Sequence, residues 1–309
     1  MLGQKNKVLS QEPSLFSHGN FFNRRMINKI YSLVEIARLD KPIGIYLLLW
    51  PSLLGYVLAG VNSELEFKNF LIVVFGSILV RSCGCVINDI SDYKIDKLVK
   101  RTLNRPLALG SISLIEAWLF FLGLSIMSLL LLFETNSLTI KISIFFAFLI
   151  IFYPLTKRFF VAPQLILGIT FGSGSIIAYS IESNIFSMSL AILYSGIIAW
   201  IISFDTYYAM EDKNDDLQIG VNSTAILWGN NSIIYSKILH IFFYMCLLTV
   251  GLINSFSNLF FLFFFILIYL FFHQSKVIKE EKYIEAFKIN NWVGIVALAS
   301  FTFEIIYLG

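Results

Sequence analysis

The stretch LIVVFGSILVRSCGCVINDISDYKID, residues 71–96, decides the fold. Up to Ile87 it is apolar except for small residues and one charge, Arg81. From Asn88 onward it carries three aspartates, Asp89, Asp92 and Asp96. Crossing a bilayer takes about 20 predominantly apolar residues. Inside lipid the backbone must satisfy its own hydrogen bonds, which favours a helix over an isolated strand. The stretch therefore predicts a membrane-spanning helix that leaves the bilayer bearing acids.

The rest of the chain repeats the first half of that pattern. Of its 309 residues 57% are hydrophobic and 14% charged, against about 25% charged in an ordinary soluble domain. The mean hydropathy is +0.77. No soluble core hides such an excess, so a soluble globular domain is excluded. Apolar runs at 43–60, 69–87, 113–133, 138–155, 163–181, 187–204, 237–254, 259–272 and 291–308 predict an all-α integral membrane bundle of about nine transmembrane helices. The eighth is expected to be short. The net charge of +3 gives no reason to invoke nucleic acid. Cys83, Cys85 and Cys246 all lie in apolar runs, which argues against a disulfide framework or a zinc site.

Charge placement sets the expected orientation. With the N-terminus on one side, twenty of the 23 Lys and Arg fall on that same side, and only Lys68 and Lys141 on the other. Positive residues collect in cytoplasmic loops, so the N-terminus is expected inside and the C-terminus outside. Residues 1–37 read as a polar, basic cytoplasmic segment leading into a transmembrane domain at 38–309. Arg24, Arg25 and Lys29 would also suit a mitochondrial transit segment, with an amphipathic lead-in the preferred reading.

Seven of the eight Asp lie in two clusters, each where a span ends on the cytoplasmic side. If the helices continue, Asn88, Asp92 and Asp96 share one face, and Asp205, Tyr208, Asp212 and Asp216 share another. Asp89 and Asp215 point off these stripes. Acids so arranged repel one another unless a cation lies between them. An all-oxygen donor set selects a hard cation such as Mg2+, which commonly bridges carboxylates and phosphates. Arg38, Lys41, Arg101, Arg105, Lys157 and Arg158 lie on the same side, where the orientation signal alone also predicts them. Arg81 differs, because a charge inside a span is expensive and usually functional. It precedes Asn88 by seven residues, about 10 Å deeper by helical rise, where an anion would be its partner. Gly168 and Gly172 suit close helix contact. Pro51 and Pro154 read as kinks near span ends, and the five Trp as interface residues.

The motif NDISDYKID at 88–96, followed by KRTLNRPL at 100–107, resembles the UbiA superfamily of intramembrane prenyltransferases. DKPIG at 40–44, LLLWP at 47–51, GCVIN at 84–88, DTYYAM at 205–210 and IGVNSTAI at 219–226 are similar to its 4-hydroxybenzoate polyprenyltransferase branch, as are Tyr153-Pro154 and AFKINN at 286–291. The likeness runs from about Arg38 to Gly294. It implies helices around a central cavity and Mg2+-dependent transfer of a polyprenyl group from polyprenyl diphosphate to 4-hydroxybenzoate, ortho to the hydroxyl, in ubiquinone biosynthesis. It further implies a bacterial inner membrane, or a mitochondrial one.

Carried over, Asn88, Asp92, Asp96, Asp212 and Asp216 would hold two Mg2+, and Arg38, Arg101, Arg105 and Lys157 the diphosphate. Asp205 would orient the phenol, and Arg81 would meet the acceptor's carboxylate. Asp89, Tyr153 and Tyr208 complete the candidate substrate-binding set. Haem O synthase, homogentisate or naphthoate prenyltransferases are the alternatives within the superfamily. A divalent-cation transporter is the alternative outside it, but it should place acids near the midplane.

Overall fold

The computed structural model describes residues 15–97, 102–156 and 158–308, and among these there is no strand. Twelve α-helices follow one another. The first six are α1 (Leu15–Ile36), α2 (Ile43–Ala59), α3 (Phe67–Asp96), α4 (Pro106–Leu109), α5 (Leu114–Phe133) and α6 (Ser137–Thr156). The remainder are α7 (Pro163–Glu182), α8 (Met188–Ile219), α9 (Thr224–Leu227), α10 (Ser232–Ile253), α11 (Asn258–Lys279) and α12 (Tyr283–Thr302).

Eight of the described helices are long and apolar enough to cross a membrane, namely α3, α5 to α8 and α10 to α12. The first expected span, α2, is shorter at 17 residues. Together they match the expected bundle. The eighth expected span is not short. α11 has 22 residues, because the helix runs on past the apolar run through His273–Lys279, where polar side chains leave the helical backbone undisturbed.

α3 and α8 are the longest helices, at 30 and 32 residues. Each continues beyond its apolar run, so the two acid clusters are helical, the condition under which their members share a face. α8 stops at Gly220, whose φ of 70° is left-handed and costs a glycine little; its N–H caps the Asp216 carbonyl.

α8 is the central column, packed by α7, α10 and α12, while α2 lies against α3, α7 and α12. A Cβ on Gly168 would come within 3.0 Å of the Ile198 carbonyl, so α7 and α8 do meet closely at the expected glycine. Trp200 is not an interface residue. It is fully buried, stacks on Phe243 at 4.8 Å between centroids and donates to Asn290 Oδ1 at 2.8 Å. One Trp thereby ties α8 to α10 and α12 just before Asp205. Pro51 sits in the middle of α2 rather than near its end.

The loop after α8 is pinned too. The Thr224 N–H donates to Gln164 Oε1 at 2.9 Å, and the Thr206 and Thr224 hydroxyls are 2.6 Å apart. These bonds fix the end of α8 that carries the second acid cluster.

Candidate active site

Two cavities meet where α3 and α8 leave the bundle. The inner one, of about 490 Å³, is lined by Arg38, Arg81, Asn88, Asp89, Arg105, Tyr153, Asp205 and Tyr208, with Lys41, Asn104, Phe171, Phe287 and Lys288. The outer one, of about 200 Å³, is lined by Asn88, Asp92, Asp96, Arg105, Tyr153, Asp205, Tyr208, Asp212 and Asp216, with Asp215, Arg158 and Gln164. Both acid stripes therefore face one space. Asn88, Arg105, Tyr153, Asp205 and Tyr208 line both cavities and form the passage between them. Arg101 and Lys157 lie outside the described residues.

Asp89 holds the inner cavity together. It is 1% exposed. Nη2 of Arg38 donates to both of its oxygens at 2.9 Å, and Nη1 of Arg105 to Oδ1 at 3.1 Å. Nη1 of Arg105 also donates to both oxygens of Asp96, at 3.0 and 2.8 Å. A carboxylate taken out of water needs such pairing, since an isolated buried charge is prohibitive. Arg38 reaches it from a left-handed backbone, φ 58°, which is uncommon for a side chain with a Cβ. Its other amino group, Nη1, donates to the Glu35 carbonyl at 2.8 Å. The turn between α1 and α2 is thus bent around this contact.

Sequence spacing sets Asp89 off the metal stripe, and the structure gives it a different position: it backs the arginines. Arg38 and Arg105, expected on a diphosphate, are both anchored by carboxylates, with their side chains about one fifth exposed at the cavity wall. Anchoring does not spend a guanidinium, which has five donors. Asp215, also off the stripe, nevertheless lines the outer cavity.

Burial pushes the Asp96 carboxyl above the ordinary carboxylate range, against the opposing pull of Arg105. Burial alone would lower the Arg105 guanidinium, but Asp89 and Asp96 beside it raise it instead. Arg158 adds a further cation: its Nη2 is 3.7 Å from Asp92 Oδ1 and donates to the Ser91 carbonyl at 3.0 Å.

Among the described residues, no three His, Cys, Asp or Glu are already drawn together tightly enough to hold a metal ion. The acids of α3 and α8 instead line one cavity, where Asn and Asp supply oxygen donors. That donor set fits a hard divalent cation shared with a ligand's own oxygens, which keeps water or substrate in its shell.

Arg81 lies at the inner end. Its guanidinium carbon stands 5.1 Å from the centre of the Phe171 ring, and its buried Nε has no hydrogen-bond partner. A desolvated donor without an acceptor is rare in a folded protein. Here it borders a cavity.

Beyond the inner cavity lies an apolar one of about 350 Å³ between α2, α3, α5, α6 and α7. Leu48, Val80, Gly84, Ile150 and Thr170 border both. Four of its hydroxyls are turned onto their own helices: Ser52 donates to the Leu48 carbonyl, Ser125 to Phe121, Ser128 to Leu124 and Ser173 to Thr170. What the wall presents is hydrocarbon. Sequence reasoning missed Lys288 and Gln164. Lys288 sits inside the AFKINN string, where it was legible; Gln164 had no signal, because its contact is 60 residues away.

The profile of the UbiA prenyltransferase family matches residues 48–304, so Arg38 precedes the matched region. The 4-hydroxybenzoate octaprenyltransferase of Nitrosospira multiformis is 38% identical over 273 residues, covering 87% of this chain and 94% of that one. That of Pseudomonas fluorescens is 43% identical over 223 residues, covering 72% and 75%. Among solved structures, a UbiA homolog from Aeropyrum pernix superposes with a TM-score of 0.72 at 23% identity, over 82% of this chain and 96% of that one. A homolog from Archaeoglobus fulgidus, bound to GPP and Mg2+, gives 0.61 at 17% identity, over 87% and 99%. These two likenesses are of fold.

The Asp89 cluster yields a stability prediction. Removing one partner of a buried ion pair costs about 3–5 kcal/mol, whereas an exposed pair is worth about 0–1 kcal/mol. Asp89→Asn is expected to lower the thermal midpoint in detergent far more than Glu280→Gln, which breaks the exposed pair with Lys282. Equal midpoints would show that Asp89 anchors nothing.

Proposed function

The chain belongs to the UbiA prenyltransferase family, and from that premise we propose that it transfers a polyprenyl group from polyprenyl diphosphate to 4-hydroxybenzoate, ortho to the hydroxyl. One observation carries this reading. A polar space walled by two acid stripes and arginines adjoins, across shared lining residues, a largely apolar cavity inside the bundle. A ligand with a multiply charged head and a long isoprenoid tail matches that sequence of environments. The relatives' names supply the acceptor and the prenyl donor class.

Each group has a task that follows from its position. Arg38 and Arg105, held by Asp89, present fixed donors to a diphosphate; preorganised donors stabilise charge that develops as the allylic C–O bond breaks. Asn88, Asp92, Asp96, Asp212 and Asp216 would hold Mg2+, which when bound neutralises the departing diphosphate; the metal-bound Archaeoglobus structure supports this use of a divalent ion. The apolar cavity keeps water from the allylic cation. Asp205, lining both polar cavities, accepts a hydrogen bond from the acceptor's hydroxyl and raises the electron density of the ring that attacks. Arg81, with its unpartnered Nε, takes the acceptor's carboxylate. The diphosphate leaves outward and the aromatic ring enters inward of it; as the ortho carbon bonds the allylic carbon, its ring proton is lost to the departing diphosphate, which restores aromaticity.

The orientation follows from the twenty-to-two distribution of basic residues. The site faces the cytoplasm of a bacterium, in whose inner membrane the bundle lies, and the N-terminus is on that side. A reporter fused after Gly309 is expected to be active only outside; cytoplasmic activity there would break the map.

The direct test is incubation of purified protein in lipid with labelled 4-hydroxybenzoate, Mg2+ and a series of prenyl diphosphates. A Mg2+-dependent, ring-prenylated product is expected. Its absence with every donor, or prenylation of another aromatic in its place, would refute the reading. Arg81→Leu is expected to raise KM for the acceptor steeply, because removing a desolvated ion-pair partner costs about 3–5 kcal/mol, with the KM for prenyl diphosphate near that of the parent. Loss of diphosphate affinity alone would place Arg81 in the phosphate clamp instead.

A further inference from the structure

The apolar stripe of α1 begins outside the protein and ends inside it. Met26, Ile30, Leu33 and Ala37 are three or four residues apart and so share one face. The C-terminal half of that face is covered: Ile36 and Ala37 are fully buried, and Leu33 packs on the cluster of Val86, Leu107 and Ala117. The N-terminal half has no such cover. Met26 is 50% exposed and Ile30 54%, with Ile27 and Tyr31 exposed beside them. The opposite face takes Asn28, Ser32 and Glu35, and the α1 sequence contains Arg24, Arg25 and Lys29 with no acid before Glu35.

The position of this overhang identifies its cover. Lys29 pairs with Glu116 in the first turn of α5, whose cap is Ser113. From that turn onward the α5 residues Ile115, Leu119 and Leu122 are exposed, as on a span that faces lipid. The uncovered stripe of α1 thus starts at the level where the acyl region begins. A helix with an uncovered apolar stripe and basic residues elsewhere along its sequence settles at the boundary between headgroups and chains.

We propose that α1 is a membrane-surface helix that docks on anionic phospholipid, with Met26, Ile27, Ile30 and Tyr31 in the acyl boundary. Lipid is favoured over a second copy of the chain, because a basic segment repels its like and is attracted to an anionic leaflet. The consequence reaches the site. α1 runs through Ile36 into Arg38, whose guanidinium sits on Asp89, so docking the helix steadies the turn that presents this arginine.

Hydrogen exchange on the full chain tests this in three settings: detergent, vesicles of phosphatidylcholine, and phosphatidylcholine vesicles containing phosphatidylglycerol. In the anionic vesicles the amides of residues 26–32 are expected to exchange about tenfold more slowly than in the neutral ones. The protection should not depend on protein density. The double variant Met26→Ser, Ile30→Ser should lose it while keeping the parent's thermal midpoint in detergent. Exchange that is equal in both vesicle types would overturn the proposal. Protection that rises with protein density would do so too, since it would assign the face to a second copy.

Discussion

One buried carboxylate, Asp89, organises the polar end of this membrane bundle. Its two oxygens accept from Arg38 and Arg105, and Arg105 continues to Asp96. Three separate pieces of chain are thereby held on one point: the turn after α1, the end of α3, and the segment leading into α4. None of the three would fix itself. The turn has a left-handed residue at Arg38, α4 is four residues long, and the end of α3 projects beyond the apolar run. Charge pairing there adds to the small apolar cluster of Ile36, Val86, Leu107 and Ala117 that packs beside it.

The remainder of the molecule keeps three environments apart within a short distance. The outer cavity gathers the carboxylates, the inner one adds guanidiniums and aromatic rings, and the innermost is mostly hydrocarbon, with Ser52, Ser125 and Ser173 bonded to their own helices. This order suits a reaction that must release a diphosphate into a charged pocket and protect a carbocation from water a few ångströms away. The Trp200–Asn290 and Thr206–Thr224 bonds anchor α8 through that transition, so that Asp205 and Asp212 hold their places about two turns apart.

Much of this was legible in the sequence, for a definite reason. A span reads as a run of apolar residues, and acids four apart on a continuing helix must share a face, so the bundle and both acid stripes followed from spacing alone. Arg81 was legible because a charge within a span is conspicuous. Contacts between distant segments were not. Nothing in the spacing of Asp89 reveals that Arg38, 51 residues earlier, and Arg105 close over it; helical position alone set it off the stripe. The same limit hid the burial of Trp200, whose partners come from α10 and α12, and the role of Gln164. The length of α11 was misjudged because polar residues end an apolar run without ending a helix.

The central claim is that the acids of α3 and α8 form one site around a diphosphate. Anomalous diffraction from crystals soaked with Mn2+ and an unreactive prenyl thiolodiphosphate measures this most directly. The account predicts anomalous density between the Asp92–Asp96 wall and the Asp212–Asp216 wall, with the diphosphate beside it and the prenyl chain in the cavity below. Density confined to one wall, or a diphosphate bound away from Arg38 and Arg105, would contradict it.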